Sequence, residues 1–155
     1  MTKIRKLGHV VLFVSDPMRS ADWYCDLLGM EAVVRNDRIP AAFLSFGQRD
    51  HDLALFRVPD DRKLGHHDVE HVSFEIDGDI DDWKQFHTTL TENRVEVLGV
   101  VDHGIAYGVY FLDPDGHHLE VFYPRFSDDA ESKAEFARIG AITNPIEITD
   151  IDDYR

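Results

Sequence analysis

The sequence predicts an α+β fold: two βαβββ modules forming a curved, partly closed mixed sheet, with a C-terminal helix and tail appended. Three observations carry this. The order strand, helix, three strands occurs twice, the two copies share residues at matching places, and alternation gives each set of strands one face for a helix and one for a site. The expected organisation is one domain over residues 1–125, with modules at about 5–59 and 68–124, followed by a helix and acidic tail over 126–155.

Residues 6–14 (KLGHVVLFV) are apolar and β-branched, as a strand requires. Asp16 then Pro17 supply an N-cap and a proline at the first helical position, so a helix is expected over 17–28, ended by Gly29. Strands follow at 31–34, 41–46 and 52–58. The second copy gives a strand at 69–76, a polar-faced helix at 79–93, and strands at 95–101, 107–112 and 118–123. The shared residues are Gly8-His9-Val10 against Glu70-His71-Val72 and Asp22-Trp23 against Asp82-Trp83, with the closing strands ending at Pro59 and Pro124. Beyond them, 131–139 has a helical pattern and the acidic remainder offers no chemistry. With His9 inward, alternation turns Val11 and Phe13 the same way and sends Val10, Leu12 and Val14 to the helix; it also turns His71 and Ser73 inward, and Glu120 with His118 and Phe122.

At 155 residues, 43% hydrophobic and 30% charged, the chain can bury a core without staples. The single cysteine, Cys25, reads as a buried small hydrophobe and suits a reducing compartment, and no apolar run is long enough for a signal peptide or membrane span, so a cytoplasmic protein is expected. Thirty acidic against sixteen basic residues give a formal charge of −14, which repels phosphate backbones and anionic lipid alike. No nucleic acid and no membrane are expected as partners.

Three inner strands each offer one metal-ligand type: His9, His71 and Glu120. Two histidines and a carboxylate with open positions form the facial triad of non-haem Fe(II) oxygen chemistry. His9 and His71 occupy the same place in two copies of one motif, which raises each above an ordinary structural histidine. An unpaired carboxylate on the apolar strand HHLEVFY would cost several kcal/mol, which a bound cation or a nearby arginine would offset. The sheet is thus expected to enclose a metal site.

Over about residues 5–125 the chain resembles the vicinal oxygen chelate superfamily, which includes glyoxalase I, fosfomycin-resistance proteins, methylmalonyl-CoA epimerase, bleomycin-binding proteins and type I extradiol dioxygenases. In that family the ligands come from the first strand of each module and from the last strand, the positions of His9, His71 and Glu120. Counting back from the two prolines sets Leu55 opposite Glu120, so the place of a fourth ligand in glyoxalase I and the epimerase is apolar. The run from His103 through Tyr110-Phe111-Leu112-Asp113-Pro114-Asp115-Gly116 to Glu120 is similar to the extradiol dioxygenase signature, and Arg49-Asp50-His51-Asp52-Leu53-Ala54-Leu55 resembles the segment that carries a further histidine in those enzymes.

The resemblance implies a ring-cleaving dioxygenase acting on a small aromatic diol with O2, using Fe(II), with Mn(II) or another divalent metal as alternatives, in a chain that could form a homo-oligomer. It implies His51 as a group that stabilises oxygen-derived anion and moves protons, and His103 and Tyr110 as hydrogen-bonding partners of the bound catechol. Val11, Phe13, Phe46, Leu53 and Phe122 are candidates for the wall against the ring. His66 and His67 read as surface loop, His87 as solvent-facing, His117 as outward and His118 as near the cavity mouth. Two other readings stay open: a glyoxalase or isomerase-class metalloenzyme using Zn, Ni or Mn, and a metal-free small-molecule-binding protein of the bleomycin-resistance kind.

Overall fold

A helix beginning at Pro17 needs its first amide groups satisfied, and Asp16 does this: its Oδ1 accepts from the backbone of Met18 and Arg19 at 2.9 and 3.3 Å. In the computed structural model, which describes residues 8–36, 38, 40–48, 50–59, 64, 69–140 and 142–151, helix α1 spans Pro17–Leu28 and ends at Gly29, whose φ of 67° is a left-handed cap that glycine adopts without strain. The chain divides into two compact units, Met1–His66 and His67–Arg155.

The first unit holds β1 (Val10–Val14), β2 (Glu31–Asn36), β3 (Ala41–Ser45) and β4 (Leu53–Arg57) in the order β1-β4-β3-β2. β1 runs parallel to β4 and the other pairs are antiparallel. Helix α1 packs against β2, β3 and β4. The expected alternation is visible in burial: Leu12 and Val14 are 4% and 0% exposed, whereas Val11 and Phe13 on the other face are 45% and 38% exposed.

The second unit repeats the plan with β5 (Val72–Glu75), α2 (Ile80–Glu92), β6 (Val97–Asp102), β7 (Ala106–Leu112) and β8 (His118–Pro124), ordered β5-β8-β7-β6. The N-terminus of α2 carries a reciprocal capping box between Asp79 and Asp82. Trp83 is fully buried beneath the sheet and its Nε1 donates to the Val121 carbonyl at 2.9 Å. Truncating a tryptophan so placed costs about 3–5 kcal/mol. The later residues add α3 (Asp129–Ile139) and a two-residue strand, β9 (Asn144–Pro145), which extends the sheet beside β6. No helix among the described residues is long and apolar enough to cross a membrane.

Ladder registers correct one alignment. Val10 pairs with Leu53 and Val11 with Ala54, while Val72 pairs with Leu119 and Ser73 with Glu120. With His9 matched to His71, the counterpart of Glu120 is Ala54, not Leu55. The prolines mislead because Pro59 lies two residues beyond β4, whereas Pro124 is the last residue of β8. Leu53 and Leu55 both belong to the buried, helix-covered face, so Leu53 is core and not a wall residue. Ala54, like Leu55, is apolar and carries no side-chain donor atom.

Smaller expectations change too. Cys25 and His87 are half-buried. His117 is not an outward surface group: its Nδ1 lies 2.8 Å from the Asp113 carboxylate, inside the turn. Phe46 is exposed just past the end of β3. His66 and His67 lie outside the described residues.

Candidate active site

The second unit brings four of the six candidate residues together: His71, His103 and Tyr110 stand around the buried carboxylate of the fourth, Glu120. Glu120 sits mid-strand in β8, and its side chain is only 7% exposed. Its neighbour on β5, Ser73, donates its hydroxyl to Glu120 Oε2 at 2.5 Å. His71 Nε2 lies 3.4 Å from that same oxygen, and His103 Nε2 lies 3.5 Å from Oε1. Neither imidazole offsets the carboxylate charge unless it is protonated, and among the described residues no lysine or arginine pairs with Glu120.

Each histidine is oriented from behind. His71 Nδ1 contacts the Glu70 carboxylate, which leaves Nε2 facing Glu120. A carboxylate on the far nitrogen is the arrangement that fixes and enriches a metal-ligating imidazole. His103 Nδ1 contacts the main-chain carbonyl of Ile142 at 2.8 Å, and its Nε2 meets the Tyr110 hydroxyl at 3.0 Å. Tyr110 is paired with Glu120 across β7 and β8, and its ring stands edge-on to His71 with centroids 5.4 Å apart. Burial, reinforced by the negative charge of Glu120, holds its phenol well above the ordinary tyrosine range.

A cavity of about 720 Å³ opens onto these groups. Its polar end is His71, Ser73, His103, Tyr110 and Glu120; its apolar wall includes Leu98, Val101, Ile105, Phe122, Phe136 and Ile142. Among the described residues no lysine or arginine lines it. Space for the carboxylate depends on Gly108 in β7, where a Cβ would come within 2.3 Å of Glu120 Oε1 and 3.3 Å of the Tyr110 ring.

The first unit holds the other two candidates. His9, just before β1, stacks at a tilt on His51, with ring centroids 4.4 Å apart, and Phe43 meets His51 edge-on at 5.3 Å. His51 lies in the bend before β4 and not in the strand itself; its Nδ1 contacts Asp50 at 2.8 Å. That hydrogen bond holds the Asp50 carboxyl below the usual carboxylate range. Among the described residues, no group of three or more His, Cys, Asp or Glu side chains is gathered as a ready set of metal donors.

Sequence reasoning turned Ser73 inward but gave it no role, and it passed over Gly108 and the contribution of Phe136 and Ile142. A glycine inside the strand AYGVYFL is a recognisable sign of close approach and could have identified Gly108. Nothing local in the sequence marks Ile142, because what it contributes is a backbone carbonyl.

A family described as the Glyoxalase/Bleomycin resistance protein/Dioxygenase superfamily matches residues 6–121. The chain belongs to this superfamily. Among its relatives, biphenyl-2,3-diol 1,2-dioxygenase 3 of Rhodococcus globerulus is 31% identical over 139 residues, covering 85% of this chain and 70% of the relative. Metallothiol transferase FosB of Staphylococcus haemolyticus is 27% identical over 125 residues, covering 76% and 83%. Of solved superfamily-like structures, an integron cassette protein from the mobile metagenome of the Halifax Harbour sewage outfall aligns with a TM-score of 0.64 at 25% identity, covering 77% of this chain and 99% of that one. The fosfomycin resistance protein FosX of Listeria monocytogenes shares the fold, with a TM-score of 0.64 at 16% identity over 84% of this chain and 99% of its own.

Proposed function

We propose that the chain is an extradiol-type ring-cleaving dioxygenase: it takes a catecholic diol and O2 and depends on one divalent ion, Fe(II), held by His9, His71 and Glu120. The observation that carries this reading is the buried Glu120 carboxylate, which has no lysine or arginine partner among the described residues and is faced by an imidazole nitrogen whose far side is anchored on Glu70. That donor chemistry fits a hard-to-borderline divalent cation, and two histidines with one carboxylate leave coordination positions for other ligands. The ion, when bound, supplies Lewis acidity and a path for electrons between a diol and dioxygen.

The chain's own residues would do the remaining work. Ser73 restrains one oxygen of Glu120 so that the carboxylate keeps a single orientation. His103 and Tyr110 form a hydrogen-bonded pair at the polar end of the cavity, where a diol hydroxyl can give up a proton to imidazole Nε2. Tyr110 stays protonated at neutral pH and serves as a donor. His51, braced by Asp50, is assigned to proton transfer and to stabilising oxygen-derived anion. The apolar wall suits an aromatic ring, and the described lining residues, which include no lysine or arginine, offer no cation to a strongly anionic substrate.

The similarity to a metallothiol transferase supports a second reading, in which the same ligands serve group transfer. The deciding test is anaerobic loading with ferrous ion followed by a catechol or a dihydroxybiphenyl and air. Ring opening gives a yellow product and consumes one O2 per diol. Colourless mixtures with no O2 uptake across several diols, together with thiol-dependent turnover of another substrate, would replace the dioxygenase reading with the transferase one.

A further inference from the structure

Residues after β8 offered no chemistry as sequence, yet they reach the cavity. Phe136 of α3 and the stretch Ile142 and Thr143 line it, and β9 is paired with β6, with Val101 opposite Pro145 and Asp102 opposite Asn144. The Ile146 amide donates to the Val100 carbonyl at 3.0 Å. Between these anchors the side chains of Ile139 and Ile142 seat on Gly104, whose φ is 77° and where a Cβ would come within 2.5 Å of Ile139. The bare glycine lets the segment lie directly on the loop that carries His103.

That seating brings the Ile142 carbonyl to 2.8 Å from His103 Nδ1. A carbonyl oxygen only accepts hydrogen bonds, so Nδ1 must carry the hydrogen. A neutral ring then has its lone pair on Nε2, which points at the Tyr110 hydroxyl at 3.0 Å and lies 3.5 Å from Glu120. Without the carbonyl, the neighbouring carboxylate would favour the opposite tautomer, with the hydrogen on Nε2 donated toward Glu120. Only the first tautomer leaves Nε2 able to accept, and in the resting chain it accepts from the Tyr110 hydroxyl at the cavity's polar end.

We propose that the C-terminal segment is a positioning element of the site: through the Ile142 main-chain carbonyl it holds His103 in the Nδ1–H tautomer, keeping Nε2 as the acceptor that faces the cavity. What the acceptor does in turnover rests on the dioxygenase reading; the tautomer itself does not. The segment is separated from His103 by 39 residues, so the coupling is a property of the fold and not of a local motif.

The test is a long-range proton–nitrogen correlation spectrum of the histidine rings in the full-length chain, free of paramagnetic metal. In the unaltered protein His103 should show a protonated Nδ1 and a lone-pair Nε2; a protonated Nε2 with a bare Nδ1 overturns the proposal, and no variant is needed to see it. The double variant Ile139→Ala with Ile142→Ala loosens the seat on Gly104, and His103 should shift toward the Nε2–H form, whereas Ile139→Val with Ile142→Val should retain the original tautomer. If the diol is turned over, kcat should fall by about tenfold in the alanine variant with KM within about twofold, a fraction of what a general base contributes. A folded alanine variant whose His103 tautomer is unchanged contradicts the proposal. Absence of turnover with the tautomer shift intact refutes the dioxygenase reading and leaves the positioning role standing.

Discussion

Replacing Glu120 with glutamine should stabilise the metal-free protein while removing its response to metal. The carboxylate is 7% exposed, receives one hydroxyl from Ser73 at 2.5 Å, and is flanked by imidazoles at 3.4 and 3.5 Å that are charged only when protonated. Burying an ion carries an effective penalty of several kcal/mol, and a hydrogen bond to a charged group returns about 1.5–3 kcal/mol. Glutamine keeps the shape and the contact with Ser73 but has no charge to desolvate, so in chelator it should gain about 1–3 kcal/mol. With metal present the order should reverse. The unaltered chain gains about 2.7 kcal/mol when free metal is about a hundred times the dissociation constant, and the variant gains far less. Urea unfolding of both proteins, in chelator and in excess divalent metal, measures all four values. A glutamine variant that is less stable in chelator and gains as much from metal as the parent would show that the carboxylate neither carries a desolvation penalty nor holds the ion.

Gly108→Ala should cost about 1–3 kcal/mol by overpacking against Glu120 and Tyr110, and should weaken metal retention as well, both measurable by unfolding and metal analysis. Trp83→Phe is the control: losing the bond to the Val121 carbonyl should cost about 1–3 kcal/mol with metal stoichiometry unchanged. Tyr110 has its folded pKa raised, so the unfolded chain ionises first as pH climbs; the stability it contributes is complete below about pH 10 and is lost above it. Tyr110→Phe in chelator should therefore show a shallower alkaline loss of stability than the parent. His51→Ala should lower turnover by about a hundredfold while leaving metal content intact, since its assigned role is proton transfer.

The fold was largely legible in the residues. Asp16-Pro17 and Gly29 set both ends of α1, and the alternation of Val10 to Val14 told the buried face from the open one, because these signals act within one turn or one strand. His71, His103, Tyr110 and Glu120 lie close together because all sit on paired strands or the adjoining loops, which the strand pattern sets side by side. Exact register was not: a proline marks where pairing becomes difficult, and β4 and β8 stop at different distances from theirs. The two-residue β9 and the Ile142 carbonyl were invisible for a different reason. Backbone groups carry no residue signature, and so short a strand is fixed by the edge it meets and not by its own propensity.

The assignment of His9, His71 and Glu120 to one ion is tested most directly by anomalous diffraction from crystals of the zinc-loaded chain. A single strong peak is expected, with an imidazole nitrogen of each histidine and an oxygen of Glu120 at about 2.0–2.2 Å. A peak held by other side chains, or none touching Glu120, would contradict it.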